Sequence, residues 1–261
     1  MTQTVGVVIP AYRPDVALLG DYVRALQERL APDVVRIELD AATPAVVESV
    51  STLPVEVNAV AHRRGKGTAI TAGFEALDTD VLVFADADGS TPADSIADVL
   101  EPVLSGRADL SVGSRRHPDA TVASHQTFAR RYLGDGFAWI ARHLLDAKLY
   151  DYQCGAKAMT CETWRSVRRH LYEPGFAWDI ELVAVAAALG ARLAEVPVVW
   201  EDQPGSTVSP TYTTYRLGRG LLVARHRAKL LADDSLHELL ESRRDGPPSL
   251  VDRLAAEALD E

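Results

Sequence analysis

Short runs of β-forming residues alternate with helix-patterned stretches through the first half of the chain, and this alternation constrains the fold more than any other feature. The runs TVGVVIP, VVRIEL, VEVNAVA and VLVFA are separated by helical patterns over Pro14 to Leu30, from Pro44 onward and over Lys66 to Leu77. Strands that alternate with helices build βαβ units and a mainly parallel sheet, whose ligands lie beyond the carboxyl ends of the strands. Val81 to Phe84 reads as a strand covered on both faces, and Asp86 and Asp88 stand where it emerges.

The second half continues the pattern less regularly. A helix is predicted over Ala93 to Leu104, then a strand in ADLSVGS, a polar loop through His117 and a long helical stretch to Leu145. DYQCGAKAMT reads as a turn and strand, two helical segments follow through Ala188, and ARLAEVPVVW reads as one strand ending at Trp200. The expectation is an α/β domain over residues 1–205. Residues 206–232 carry Arg216, Arg219, Arg225, Arg227 and Lys229 with no acid, and form a basic amphipathic segment, a candidate for a membrane interface. Residues 233–261 read as an acidic helical tail.

With 261 residues, 47% of them hydrophobic, the chain can bury a sizeable core. A net charge of −10 argues against nucleic acid as a partner. Two cysteines, Cys154 and Cys161, make neither a disulfide framework nor a zinc site, which points to a reducing compartment. The start MTQTVGVVIPAY has no basic leader and no apolar run approaches a membrane span, so the expectation is a cytoplasmic protein.

In an extended segment, Asp86 and Asp88 would point the same way, and a divalent cation between them would relieve their repulsion. Oxygen-only ligands favour Mg²⁺ or Mn²⁺, with a substrate diphosphate completing the shell. The bland alternative is a loop before a helix, with Ser90, Thr91 or Asp94 as its cap. Lys66, or Arg64, at a helix start would face a diphosphate, although RRGKG lacks the spacing of a P-loop. Asp151, and Asp179 and Glu181 at another helix start, are candidates to orient a substrate's polar groups or act as a general base. Helix-start acids also simply stabilise the helix dipole. Cys154 reads as packed, and His117 and His125 as polar loop groups.

The segments VIPAY, HRRGKGTAI, FADADGS, VGSRR, DYQCGAK, GFAWDIELV and VPVVWEDQPGST occur in the order seen in family 2 glycosyltransferases. Over residues 4–208 the chain resembles the dolichyl-phosphate glucose and mannose synthases of that family. The resemblance implies a GT-A type, Rossmann-like sandwich with a mainly parallel central sheet, here with a C-terminal helical appendage. It implies inverting, metal-dependent transfer of a hexose from a nucleotide sugar, of the UDP-glucose or GDP-mannose type, to dolichyl or polyprenyl phosphate. It further implies a peripheral position on the cytosolic face of the membrane. The donor would contact Pro10, Ala11, Tyr12, Asp40, Lys66 and Ala87, with Asp86 and Asp88 holding the metal. Arg115 and Arg130 or Arg131 match phosphate-contacting positions. Two positions depart from the pattern: Pro14 and Ala41 stand where the family often has acids.

Three other readings compete. A sugar or protein hydroxyl could replace the lipid phosphate as acceptor, which would require a carboxylate base. FADADGS also resembles the nucleophile motif of haloacid-dehalogenase-type phosphatases, but GDGFAWI lacks the second acid of their downstream motif and the first 80 residues go unexplained. A non-catalytic nucleotide-sugar-binding domain has only the two departures in its favour.

Overall fold

The computed structural model describes residues 3–123, 128–201, 210–232 and 247–260; the side chains of 128–135, 210–216 and 260 are outside that description. The first half forms β1 (Val5–Tyr12), α1 (Val16–Leu30), β2 (Val34–Asp40), α2 (Pro44–Val50), β3 (Glu56–Val60), α3 (Lys66–Glu75) and β4 (Val81–Ala85). Then come α4 (Ala93–Leu104), β5 (Leu110–Ser114), β6 (Thr121–Ala123), α5 (Phe128–Leu144), β7 (Ala156–Thr160), α6 (Cys161–Val167) and α7 (Trp178–Ala188). The chain continues through β8 (Leu193–Pro197), β9 (Val199–Glu201), α8 (Pro210–Leu231) and α9 (Leu250–Asp260).

Seven strands form one sheet in the order β3-β2-β1-β4-β7-β5-β8. All neighbours are parallel except at β7, which runs antiparallel between β4 and β5. The two faces follow the period of two. Val8, Leu82, Phe84, Leu110, Val112 and Met159 pack with Ile70, Phe74, Trp178 and Ile180. Val7, Ile9, Val81, Val83, Ala156 and Ala158 pack with Leu19, Val23, Ile96 and Val99 on the opposite face. The sheet is therefore a buried layer between two sets of helices.

Antiparallel β7 is what builds the site. Its register pairs Ala85 with Ala156 and Val81 with Thr160, so the start of β7 lies beside the end of β4. The turn YDYQCG is thereby brought against FADADGS, some 70 residues earlier in the chain.

The single strand expected at ARLAEVPVVW is two. β8 pairs with β5, and after Val198 the chain leaves the sheet so that β9 pairs with β6. The exposed three-residue β6 is too short a signal to stand out from the loop expected there. Asp86 and Asp88 are also not in extended chain. Ala87 and Asp88 form a turn, and Gly89 follows at φ +65°, so the alternation of an extended segment does not govern these carboxylates.

The C-terminal helices dock on the domain. α8 buries Leu221, Ala224 and Ala228 against α7, and Gly220 sits so close to Ala177 that an added Cβ would lie 2.4 Å from the alanine Cβ. Three of the basic residues read as headgroup contacts have partners inside the protein: Arg227 pairs with Glu181, Lys229 with Asp146, and Arg225 donates to the Leu144 carbonyl. In α9, Leu250 is buried, its N–H donates to Leu171 O, and Arg253 reaches Tyr172 O. Among the described side chains of α8, Leu222 is the large apolar residue left exposed, at 60%.

Candidate active site at the carboxyl ends of the strands

The ends of β1, β2, β4 and β5 and the start of β7 converge on one cleft. At its β2 side, Asp40 Oδ2 accepts from the N–H groups of Arg64 (2.8 Å) and Gly65 (3.0 Å), and Oδ1 accepts from Arg64 Nε (2.8 Å). Arg64 also reaches Glu38, a fully buried acid. Asp40, expected to meet the donor, thus organises the RRGKG turn. Gly65, at φ +100°, lets that turn pass Pro174 O, which an added Cβ would approach to 2.5 Å. The tight turn starts α3 with Lys66 directed into the cleft. Pro10 and Ala11 lie in the last residues of β1, and the Tyr12 ring is faced by the Arg63 guanidinium at 4.1 Å.

Lys66 Nζ lies 2.9 Å from Asp86 Oδ1 and 3.1 Å from Asp179 Oδ2. Asp179 Oδ1 accepts from Lys157 Nζ at 2.6 Å, and Lys157 also donates to Cys154 O. Burial alone would discharge these groups. For Lys66 it is outweighed by Asp179 and Asp86, which raise the ammonium above its ordinary range. For Asp179 it is outweighed by Lys157 and Lys66, which hold the carboxyl below its ordinary range.

Asp86 is fixed by its own N–H, which donates to Gly155 O (3.0 Å). Asp88 Oδ1 accepts from the Ser90 N–H (3.0 Å) and lies on the open side of the turn. Partial loss of hydration and the nearby Asp86 charge push the Asp88 carboxyl above its ordinary range. Two such carboxylates, one of them raised by the other, fit a hard divalent cation such as Mg²⁺ or Mn²⁺. Among the described residues no group of three or more His, Cys, Asp or Glu forms a metal cage, so a cation here would draw its further ligands from a diphosphate and water.

Across the cleft, Arg115 follows β5. Its backbone N–H and Nε donate to Asp151 Oδ2 (3.2 and 2.7 Å), and its Nη2 donates to Oδ1 (3.1 Å). Arg116 stands 3.5 Å from the same carboxylate. The Asp151 backbone N–H is held by Glu195 from β8, and Trp200 from β9 lies under the Arg115 guanidinium at 5.8 Å. Burial opposes charge on Asp151, but Arg115 overrides it and holds the carboxyl well below the usual carboxylate range. Burial opposes the charge on Arg115, but Asp151 outweighs it and raises the guanidinium above its ordinary range, with a smaller contribution from Asp86.

The structure therefore brings together Lys66, Asp86, Asp88, Arg115, Asp151 and Asp179. It places Glu181 elsewhere: one oxygen accepts from the N–H groups of Tyr172 and Glu173 and the other pairs with Arg227. Asp179 and Glu181 are two apart on a helix, so they cannot share a face. The side chains of Arg130 and Arg131 are outside the described residues, as is His125. The sequence puts Lys157 with Asp151 and Gln153 around the turn of YDYQCGAK but gives it no role, and it does not single out Glu195. A lone lysine within a strand was the available signal for Lys157.

This arrangement defines a GT-A fold. The molecule superposes on mannosyl-3-phosphoglycerate synthase from Rubrobacter xylanophilus with a TM-score of 0.66 at 18% identity, over 94% of this chain and 79% of that one. It superposes on the UDP complex of glucosyl-3-phosphoglycerate synthase from Mycobacterium tuberculosis with a TM-score of 0.64 at 18% identity, over 85% and 80% of the two chains.

The profile of glycosyl transferase family 2 matches residues 7–174, and the chain belongs to that family. It is 30% identical over 235 residues to glycosyltransferase AglD of Haloferax volcanii, covering 84% of this chain and 36% of that protein. With dolichyl-phosphate beta-glucosyltransferase of Mus musculus it shares 30% over 179 residues, covering 66% and 55%. With undecaprenyl-phosphate mannosyltransferase of Micrococcus luteus it shares 32% over 151 residues, covering 55% and 61%. The chain thus spans between about a third and three fifths of the length of these relatives.

Proposed function

We propose that the protein transfers a hexosyl group from a nucleoside diphosphate sugar to the phosphate of a polyprenyl or dolichyl lipid, with inversion at the sugar C1. The observation that carries this reading is that two buried carboxylates of the cleft have both oxygens on cations, Asp151 on Arg115 and Asp179 on Lys66 and Lys157, which hold them below the usual carboxylate range. A general base works best with a pKa near the working pH, so neither is poised to deprotonate a hydroxyl. A phosphate acceptor needs no deprotonation, only positioning and relief of its charge. The names of the mouse and Micrococcus luteus relatives point to the same acceptor class.

Asp86 and Asp88 would hold the divalent cation, which when bound supplies positive charge to the departing diphosphate. Lys66 faces the same leaving group, and Asp40 acts indirectly by shaping the turn that presents Lys66. The base and ribose lie along Pro10, Ala11 and Tyr12, with Ala87 lining the turn. Arg115, with Arg116, takes the acceptor phosphate, for which the planar guanidinium is suited. One acceptor oxygen attacks C1 on the face opposite the diphosphate; the C1–O bond breaks and its electron pair leaves on the diphosphate. Arg130 and Arg131 are further candidates for the acceptor side.

No helix among the described residues is long and apolar enough to cross a membrane. A peripheral contact with the membrane surface accords with the exposure of Trp139, Ile140 and Leu222 beside Arg142 and Arg219. Purified protein with Mn²⁺ or Mg²⁺, polyprenyl phosphate and radiolabelled UDP-glucose or GDP-mannose is expected to give a lipid-soluble product labile to mild acid. Asp88→Ala should abolish it. A product stable to mild acid would refute the phosphate acceptor.

A further inference from the structure

Lys66 is placed unusually for a residue that only meets a diphosphate. Its ammonium is already engaged on both sides, by Asp86 at 2.9 Å and Asp179 at 3.1 Å, with the side chain 10% exposed. The line continues from Asp179 to Lys157, which is fully buried and anchored on Cys154 O. The ring of Phe84 lies 5.2 Å from the Lys66 ammonium and 5.3 Å from that of Lys157. Charges therefore alternate along Asp86, Lys66, Asp179 and Lys157, and the two lysines balance the two aspartates.

A divalent cation on Asp86 and Asp88 changes that balance. It would compete for a carboxylate whose Oδ1 already accepts the Lys66 ammonium, and two cationic centres on one carboxylate repel each other. Lys66 has somewhere to remain. Asp179 grips it from the other side, and Asp179 is itself fixed by Lys157, so a displaced ammonium stays at the cleft wall where a donor diphosphate would lie.

We propose that Lys66 is the resident counter-ion of Asp86: it holds the cation's place in the free protein and, when the cation arrives, swings on its Asp179 tether to the donor diphosphate. This rests on the reading of Asp86 and Asp88 as the cation pair. Cation binding then carries the cost of breaking the Lys66–Asp86 contact, and Lys157 and Asp179 become positioning residues for a group that changes partner.

The test is Mn²⁺ binding to the free protein at pH 7.5, read from the electron paramagnetic resonance of unbound Mn²⁺. Lys66→Met, checked for folding by circular dichroism, is expected to bind Mn²⁺ at least about fivefold more tightly than the wild type. Unchanged or weaker binding by the folded variant overturns the proposal. Asp88→Asn separates the two levels. If it loses Mn²⁺ while Lys66→Met binds like the wild type, the cation pair stands and the counter-ion role fails. If Asp88→Asn binds Mn²⁺ as the wild type does, the cation pair fails and takes the counter-ion role with it. A measurement on the unaltered protein covers a variant that does not fold: with ¹⁵N-labelled lysine, the Lys66 Nζ resonance should shift on titration with Mg²⁺ alone. A resonance that stays in place while Mg²⁺ binds overturns the proposal.

Discussion

The Cβ that Gly155 lacks would fall 1.9 Å from Oδ2 of Asp86. No carboxylate tolerates that approach, so the absence of a side chain at Gly155 is what allows Asp86 its position. Gly155→Ala should therefore push Asp86 off the turn. A misplacement of about 1 Å at a reacting centre can cost about 100-fold in rate. The expected outcome is a loss of transfer on that scale with the cooperative unfolding transition retained, measured by lipid-soluble label and thermal melting.

The Arg115–Asp151 pair predicts a defined pH dependence of stability. The folded pKa of Asp151 lies below its unfolded value, so its contribution is fully present above the unfolded pKa of about 3.9 and is lost as pH falls toward the folded pKa. Asp151→Asn removes that contribution and leaves Arg115 without its carboxylate. Denaturant unfolding should show a loss of about 3 kcal/mol at pH 7. The gap between the two proteins should narrow only below about pH 4.

The two thiols should behave differently. Cys154 is fully buried and its thiol is pushed up to about 11 by that burial, whereas Cys161 is partly accessible. A thiol that is protonated and out of reach does not attack. Ellman's reagent at pH 7.5 should therefore label one cysteine rapidly in the folded protein and both after denaturation. Fast labelling of Cys154 in the native state would contradict the packing described.

Arg227 on α8 neutralises Glu181, a buried acid whose pKa burial nevertheless raises. Arg227→Met leaves that carboxylate dependent on two backbone N–H groups. Breaking a buried pair from one side costs about 3–5 kcal/mol, and discharging the glutamate would soften the loss. A drop in stability is expected that is larger at pH 8 than at pH 5, because protonation relieves the unpaired charge as pH falls.

Chelation provides a direct check on the cation reading. EDTA should abolish transfer and excess Mn²⁺ should restore it, while turnover that persists after exhaustive chelation would remove Asp86 and Asp88 from their assigned role.

Much of the fold was legible in the sequence because it is local. VGVVIPAY and VLVFA are apolar runs of strand length, and the helix expected over Ala93 to Leu104 is α4 with those limits. Strand direction was not legible for β7, since AKAMT has the same composition whichever way it runs, and its antiparallel setting depends on tertiary pairing with β4 and β5. The site was readable as a set of residue types. Asp86, Asp88 and Lys66, singled out by their chemistry, and Arg115, singled out by the resemblance, lie together, but which partner each acid takes was not readable. Asp179 and Glu181 look equivalent in WDIEL, yet helical geometry turns one to Lys66 and Lys157 and the other to Tyr172 and Arg227. The resemblance likewise makes Asp40 a donor contact, and only the return of Arg64 and Gly65 shows that its oxygens are committed to a turn.

The insertion of β7 between β4 and β5 also sets an order of events for a growing polypeptide. Until residue 160 has been made, β4 offers a bare, fully apolar edge, the kind of surface on which stray chains pair. The last strand to enter the middle of the sheet also delivers Gly155 to Asp86, so closing that hazardous seam and seating Asp86 are a single act. A truncated product from the first half of the message would be both inert and prone to aggregate.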